Sequence, residues 1–398
     1  MATLSPFRAL RPTSADAARI AAVPYDVVNT EEARALAEGN PLSFLRVSRA
    51  EIELPAGTDP YSDAVYRRAA QNLDSLKKSS LVVEDEPALY FYRLRQGTQE
   101  QTGIAGCFSV DEYDRDVIKK HERTRRDKED DRTRHILAVG AQTGPVFLVH
   151  KASADISGIA ARATAGAPLF DFEAVDGVRH TIWRVEAALR DRLVEAVRAI
   201  PTLYIADGHH RAASAARTRA ERRDVEASTF LAVAFPDDQV RILPYNRIVK
   251  DLAGLSPDGF RKAVGEQFEM EFGPAAPAGR GQISMYLEQR WHTLRPRVRP
   301  AADPIASLDV SVLQDRLLGP VLNITDVRTD KRIDFVGGAR GTAELARLVD
   351  AGRAAVAFSM YPVSVADLMA VSDAGAIMPP KSTWFEPKLR DGLLIHLI

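Results

Sequence analysis

Apolar and polar positions alternate along much of the chain with the short period of β-strands. Apolar and aromatic residues on both sides of a Gly-Thr-Gln-Glu turn predict a β-hairpin over residues 87–113. Asp176 and Gly177 predict the turn of a second hairpin. Further strands are predicted over 43–54, 144–151, 202–206, 229–238 and 240–251.

Other segments show the longer period of amphipathic helices. These helices are predicted over 31–39, 59–78, 185–199 and 209–222, and Thr30 is predicted to cap the first. The mixture predicts an α+β fold with a mixed sheet. Around Leu252 the pattern changes, and helices and strands then alternate to the end of the chain. We therefore predict two domains, residues 1–251 and an α/β module over residues 252–398.

The stretch LYIADGHHRAASAA, residues 203–216, carries the strongest chemical signal. Asp207 directly follows a predicted strand, and a predicted helix follows Gly208 at once. Glycine tolerates the backbone of a tight turn, and the first turn of a helix offers unpaired N–H groups and partial positive charge. Together these features bind anions, phosphate above all. The corner therefore predicts a phosphate site formed by Gly208, His209, His210 and Arg211.

Two other interpretations of this corner are open. In the first, Asp207 is a simple helix cap, Gly208 is a turn residue and the histidines are surface groups. Alternatively, the histidines would bind zinc. Because His209 and His210 are adjacent, however, they point about 100° apart on a helix and cannot easily bind the same ion. The sequence therefore predicts no metal site.

The segment over 116–135 mixes many charges of both signs. If it is helical, one side carries cationic groups that would suit the tail of a nucleotide. These groups are His121, Arg125, Lys128, Arg132 and His135. The alternative is a solvated helix stabilised by ion pairs, such as one between Lys128 and Asp131 or Glu129.

Composition narrows the classes of partner. The chain has 53 Lys and Arg against 54 Asp and Glu, so bulk electrostatics does not favour nucleic acid. Its single cysteine, Cys107, cannot form an internal disulfide, which favours a reducing compartment. Prolines and charges interrupt the N-terminal segment, so no signal peptide is expected. No apolar run reaches the roughly 18 residues of a membrane span. We expect a cytoplasmic protein without a membrane segment.

Four blocks in this order resemble one bacterial and archaeal family of unknown function: PYDVVNTEEARALAEGNPLSFLRVSRAE, KHERTRRDKEDDRTRH, ADGHHRAASAA and MPPKSTWFEPKLRDGLLIHL. That family is related to the ParB/sulfiredoxin superfamily. The resemblance implies a ParB/sulfiredoxin-like core whose Gly-x-x-Arg box, here Gly208 to Arg211, grips nucleotide phosphates. Members with a similar Asp-Gly-His-x-Arg box include free serine kinases. ATP or ADP with Mg²⁺ is therefore the implied cofactor.

Phosphoryl transfer would also need a carboxylate that orients the acceptor hydroxyl. The candidates are Asp207, Glu122 and Asp26, with His209 as a proton carrier. Lys381 and Ser382, in a proline-stiffened loop, are candidates for binding a phosphate or carboxylate. The sequence thus favours a kinase that phosphorylates a small hydroxyl-bearing metabolite such as serine. A ParB-like nucleotide-switched binding module and a metal-dependent phosphohydrolase are the alternatives, and a homodimer is left open.

Overall fold

The computed structural model describes residues 1–222 and 224–398, which form two compact units. The first unit comprises residues 1–240 together with 387–398, and the second comprises residues 241–386. The compact units thus divide the chain after residue 240 and return its last residues to the first unit. The predicted division at 251/252 stays a prediction about domains.

Helices and strands of the first unit follow closely on one another. In chain order they are β1 (Leu4–Ser5), β2 (Ala9–Pro12), α1 (Ala17–Ile20), α2 (Thr30–Ala37), α3 (Leu45–Ser48), α4 (Asp63–Ser79), β3 (Leu81–Val83), β4 (Tyr90–Gln96), β5 (Gln99–Ser109), α5 (Val110–Asp114), β6 (Ile118–Lys119), α6 (Arg126–Val139), β7 (Ala141–Gln142), β8 (Val146–His150), α7 (Ala154–Ala163), β9 (Phe170–Glu173), β10 (Arg179–Arg184), α8 (Ala187–Arg198), β11 (Leu203–Asp207), α9 (His209–Arg222) and β12 (Thr229–Pro236).

The second unit follows directly. Its elements are β13 (Arg241–Leu243), β14 (Tyr245–Val249), α10 (Pro257–Gln267), β15 (Phe268–Phe272), β16 (Ile283–Leu287), β17 (Arg290–Pro296), α11 (Asp309–Leu313), β18 (Ile333–Gly337), α12 (Gly341–Asp350), β19 (Val356–Met360), α13 (Val365–Asp373) and β20 (Trp384–Glu386). The chain then returns to the first unit with β21 (Ile395–Leu397). Among the described residues, no helix combines the length and apolarity needed to cross a bilayer.

A mixed sheet forms the centre of the first unit, in the order β6-β11-β8-β12-β5-β4-β10-β9, with β1 beside β5. Its pairs β6–β11 and β8–β12 are parallel, and the others are antiparallel. Strand β12 is nearly all apolar and buried, as expected for a central strand with both faces covered. The mixed sheet predicted from the sequence is confirmed, whereas a ParB-like fold stays a prediction.

Helix α9 packs against this sheet because it carries small residues on one side. Ala212 and Ala215 are buried in the same core as Leu148 and Ile205 of the neighbouring strands. The next turn of the helix contacts α6, where the Ser214 hydroxyl donates to the Glu129 carbonyl at 3.2 Å. The sheet and α6 therefore hold the first turn of α9 in a fixed position.

The remaining core of the first unit lies between helices α2 to α4 and a small sheet, β3-β2-β21-β7. Residues 43–54 belong to this core, and their predicted strand is wrong: they form α3 and a 3₁₀ turn at Ala50–Glu53. Leu45, Val47 and Ile52 are all buried there, so their spacing serves helical packing rather than strand alternation. The cap of α2 is Asn29, one residue before the predicted Thr30, and it forms a capping box with Glu32.

The second unit has a six-stranded sheet in the order β15-β17-β16-β19-β14-β18. Every pair in it is antiparallel, as is the separate pair of β13 and β20. Helix α12 packs on this sheet through Leu345, which is fully buried. The described part of this unit is thus α+β rather than the predicted α/β module.

Candidate functional site

Strand β11 leads into the Asp-Gly-His-His-Arg corner, and its end is irregular. Its register against β8 shifts between Ile205 and Asp207, and Gly208 follows with a φ of +93°. The first hydrogen bond of α9 runs from the Ala212 N–H to the Gly208 carbonyl at 3.0 Å. The amides of residues 209–211 precede that bond and have no acceptor within the helix. As expected from the sequence, helix α9 therefore begins with N–H groups that have no acceptor within the helix.

Arg211 folds back across this corner. A Cβ on Gly208 would lie 3.0 Å from the Arg211 Cζ and Nε atoms, which is tighter than an ordinary contact. Glycine is therefore required at 208 for two reasons, the left-handed backbone and the close approach of the guanidinium. Arg211 also donates a short hydrogen bond to the Pro145 carbonyl. Its side chain is largely buried, and its guanidinium contacts protein groups on several sides.

Asp207 is held in its ionised form. The Lys388 Nζ atom lies 2.9 Å from the Asp207 Oδ2 atom, and the Arg211 Nη2 atom lies 3.8 Å from Oδ1. Burial alone would raise the pKa of Asp207, but the charges of Lys388 and Arg211 outweigh it and lower that pKa well below its usual range. Lys388 is the closer cation, so Asp207 does not depend on Arg211 alone for its compensation.

A second carboxylate, Asp391, is buried near Arg211, and the two side chains line the same cavity. Burial raises the pKa of Asp391 to about 7, and the charge of Arg211 opposes the rise only in part. The carboxyl group fits there because residue 144 is glycine: a Cβ at that position would lie 2.2 Å from Asp391 Oδ1. Arg211, Asp391, Arg132 and other side chains line a cavity of about 30 Å³. A space of that size holds a water molecule rather than a ligand.

Two buried histidines meet beside Asp207. Strand β6 pairs with β11 in parallel, with Ile118 opposite Leu203, so both strands end at the same edge of the sheet. His121 therefore lies next to His209: their ring centroids are 4.5 Å apart and the rings are perpendicular. The residues are 2% and 4% exposed. Burial lowers the pKa of His121 to about 4 and that of His209 well below its usual range, so both rings are neutral near pH 7.

Glu122 lies beside His121 and His209 and is partly exposed to solvent. The Glu122 Oε2 atom lies 3.9 Å from His209 Nδ1, and the glutamate side chain is 47% exposed. One ligand atom from each of His121, Glu122 and His209 lies within 4.8 Å of the others, close enough for the three to hold one metal ion. In the described part of the chain no other set of three histidine, cysteine or acidic side chains has this geometry.

More exposed residues surround the buried side chains of His121 and His209. We call this set, His210, Asp26, Arg125 and Lys128, the rim. The His210 Nε2 atom accepts the Arg125 N–H at 3.0 Å, and burial lowers the pKa of His210. Asp26 is exposed, and its negative charge acts on both His210 and Arg211. Lys128 donates to the Tyr61 hydroxyl at 2.7 Å, and the Arg125 guanidinium pairs with Asp127.

The cationic stripe predicted for residues 121–135 does not form on one helix. Helix α6 begins at Arg126, so His121 and Arg125 precede it and do not follow its period. Arg132 pairs with Asp131 in a buried position, and His135 contacts the Val47 carbonyl at 3.0 Å. Only the segment before α6 and its first turn therefore lie at the rim.

Lys381 and Ser382 belong to the second unit, just before β20. The Lys381 carbonyl accepts from Arg247 Nη2 at 3.0 Å, and its ammonium group lies 5.4 Å from the Tyr245 ring centroid. The Ser382 hydroxyl donates to the Pro379 carbonyl at 2.6 Å. Both residues thus have partners within their own unit, and their proposed ligand contacts stay a prediction.

The family described as "Protein of unknown function (DUF1015)" matches residues 4–311 of the 398. The chain belongs to this family. No curated protein matches the DUF1015 chain. The link to the ParB/sulfiredoxin superfamily stays a prediction.

Solved structures give only a distant likeness. A free serine kinase in complex with AMP is 13% identical, with a TM-score of 0.37 over 72% of this chain and 91% of the kinase chain. A truncated SbnI from Staphylococcus aureus is 12% identical, with a TM-score of 0.41 over 74% of this chain and 87% of that one. A conserved hypothetical protein from Pyrococcus furiosus is 14% identical, with a TM-score of 0.38 over 74% and 95%.

Several site residues of this DUF1015 chain could not be found from local sequence patterns. Lys388 and Asp391 join the corner from the end of the chain, about 180 residues beyond Asp207. His121 reaches His209 only because β6 and β11 are parallel neighbours. A parallel pairing of two strands so far apart leaves no signal in either segment alone.

Proposed function

We propose that this protein binds the phosphate tail of ATP or ADP at the start of α9 and transfers a phosphoryl group to a small hydroxyl-bearing metabolite. One observation carries the proposal. The glycine corner brings bare helix amides, the Arg211 guanidinium and exposed carboxylates together at the carboxyl ends of β6 and β11. In open α/β sheets, ligands bind outside the carboxyl ends of the parallel strands, and the β6–β11 pair offers such an end.

Binding of phosphate begins with the amides of residues 209–211, which point along the axis of α9 and carry partial positive charge. Arg211 adds a forked donor when it turns from Asp207 toward the phosphate. After this movement the negative charge of Asp207 still has a cation beside it, because Lys388 Nζ lies 2.9 Å from the carboxylate. A Mg²⁺ ion would accompany the nucleotide and neutralise its phosphate oxygens.

The acceptor needs a carboxylate at the rim. We assign this role to Asp26, because it is exposed and its charge already acts on His210 and Arg211, the groups assigned to phosphate. The acceptor oxygen forms a bond to the terminal phosphorus as the bond from that phosphorus to the bridging oxygen breaks. The nucleotide leaves with one phosphate fewer, and the acceptor proton passes to Asp26. Glu122 is the alternative carboxylate.

The test is a phosphotransfer screen with ATP and ADP as donors and with amino acids and polyols as acceptors. We expect a phosphorylated product, with serine as the first acceptor to assay. Arg211→Ala should reduce kcat/KM by at least about a hundredfold, the loss typical when one donor to the transition-state charge is removed. The matched control is Arg219→Ala. Arg219 also lies on α9, but it pairs with Asp111 and Asp114 near the far end of the helix.

Two results would contradict the proposal. Equal turnover by wild type and Arg211→Ala would remove Arg211 from the site. Release of inorganic phosphate without any phosphorylated metabolite would instead identify a hydrolase or a nucleotide-switched module. Asp26→Asn and Glu122→Gln separate the two carboxylates, since only the variant of the acceptor-orienting residue should lose kcat with little change in nucleotide affinity.

A further inference from the structure

The paired histidines beside Asp207 have an arrangement that packing alone does not explain. His121 and His209 come from different segments, and their perpendicular rings lie 4.5 Å apart at the centroids. His209 Nε2 accepts the backbone N–H of His121 at 3.4 Å, which leaves Nδ1 directed toward Glu122 Oε2 at 3.9 Å. The three side chains thus present nitrogen and oxygen atoms to one small volume.

His121 supplies an independent observation that points to a ligand. The residue is only 2% exposed, and neither ring nitrogen makes a well-aligned hydrogen bond among the described residues, the Ile205 backbone being the nearby polar group. A buried polar group left without a partner costs about 1–3 kcal/mol. Other buried histidines, such as His150, leave one ring nitrogen without a partner, whereas His121 leaves both. A metal ion would satisfy one of these nitrogens directly.

We infer that His121, Glu122 and His209 bind one divalent transition-metal ion of the zinc class. Two imidazole nitrogens and one carboxylate oxygen are a ligand set that zinc uses in catalytic sites, with a fourth position open for water or substrate. Ligand atoms on a tetrahedral zinc ion lie about 3.4 Å apart, given bond lengths near 2.1 Å. The observed separations need only small side-chain rotations, which the half-exposed Glu122 permits.

This ion is distinct from the Mg²⁺ that would accompany a nucleotide. Magnesium prefers oxygen ligands in octahedral geometry, whereas imidazole favours zinc and its neighbours. The inference does not depend on nucleotide binding, because all three ligands belong to the protein. Glu122 lies on the solvent side of the two buried rings, so the open coordination position would face the rim.

Metal content tests the inference directly. The full-length protein is stripped with chelator, incubated with Zn²⁺, Mn²⁺ or Mg²⁺, desalted and assayed by elemental analysis. Co²⁺ is added in parallel, because its visible absorption reports the coordination geometry. The variants are His121→Ala, His209→Ala and Glu122→Gln. The control is His150→Ala, because His150 is equally buried and its Nε2 also has no partner, but it belongs to no such cluster.

We expect wild type and His150→Ala to retain one Zn²⁺ per chain and little Mg²⁺, and to give a Co²⁺ spectrum. Each cluster variant should bind Zn²⁺ at least about tenfold more weakly. Glu122→Gln keeps this test decisive if the buried histidine variants fail to fold, since its side chain is half-exposed. No Zn²⁺ retained by wild type, or wild-type affinity in folded Glu122→Gln, would overturn the inference.

Discussion

Replacing Gly208 by alanine tests whether the corner before α9 is built around the approach of Arg211. Gly208 has a φ of +93°, and an added Cβ would lie 3.0 Å from the Arg211 Cζ and Nε atoms. Gly177 is a matched control in the same unit. It has a φ of +74°, and an added Cβ there would have no atom within 4 Å. The two substitutions therefore share backbone strain and differ in the contact with Arg211.

The expected magnitudes follow from that difference. A left-handed backbone costs a residue other than glycine about 1–2 kcal/mol, which both variants should lose. Gly208→Ala must also move a buried guanidinium that is bonded to the Pro145 carbonyl and paired with Asp207. Weakening such a charged hydrogen bond adds about 1.5–3 kcal/mol. Gly208→Ala should thus be the more destabilising variant by that amount.

The assay is thermal unfolding of the full-length variants at one pH and one salt concentration. For a unit of this size, about 1 kcal/mol corresponds to roughly 2–4 °C in Tm. Gly208→Ala should therefore melt several degrees below Gly177→Ala. Equal melting temperatures would show that Arg211 does not pack on Gly208. In an Arg211→Ala background, Gly208→Ala should cost only the backbone strain, because the contact is then absent.

Three further predictions concern buried charges. Burial raises the pKa of Asp391 to about 7, so between about pH 4 and 7 the folded state binds a proton that the unfolded state does not. The free energy of unfolding should therefore fall by about 4 kcal/mol as pH rises through that range, and Asp391→Asn should remove this slope when Tm is measured against pH. Lys388→Met removes the closer cation of Asp207 and should cost about 3–5 kcal/mol at pH 7, a difference that narrows in melts at acid pH as the carboxyl group is protonated. Tyr66→Phe removes a 2.8 Å hydrogen bond to buried Asp131 and should lower stability by about 1.5–3 kcal/mol, measured as a lower Tm; an unchanged Tm would contradict that bond.

Local patterns in the sequence predicted the elements that a single segment determines. The helix over residues 209–222 and the hairpin turn at Asp176 and Gly177 agree with the structure, because period and turn chemistry are local properties. The strand predicted over 43–54 failed because buried residues there serve a short helix. Helix α6 begins at Arg126, later than the charge pattern implied.

The site depends on pairings that lie outside any local window. The parallel register of Ile118 opposite Leu203 brings His121 to His209, although 88 residues separate them. Lys388 reaches Asp207 only because the end of the chain returns to the first unit. The strand, turn and helix of the corner could therefore be predicted from the sequence, but not which charges compensate Asp207.

The central claim is that the start of α9 binds nucleotide phosphate, and a structure of the protein with ADP and Mg²⁺ tests it most directly. We predict the terminal phosphate within hydrogen-bond distance of the amides of residues 209–211, with the Arg211 guanidinium turned toward it and Lys388 still paired with Asp207. A nucleotide bound with its phosphates away from Gly208, or no binding at millimolar ADP, would contradict the account.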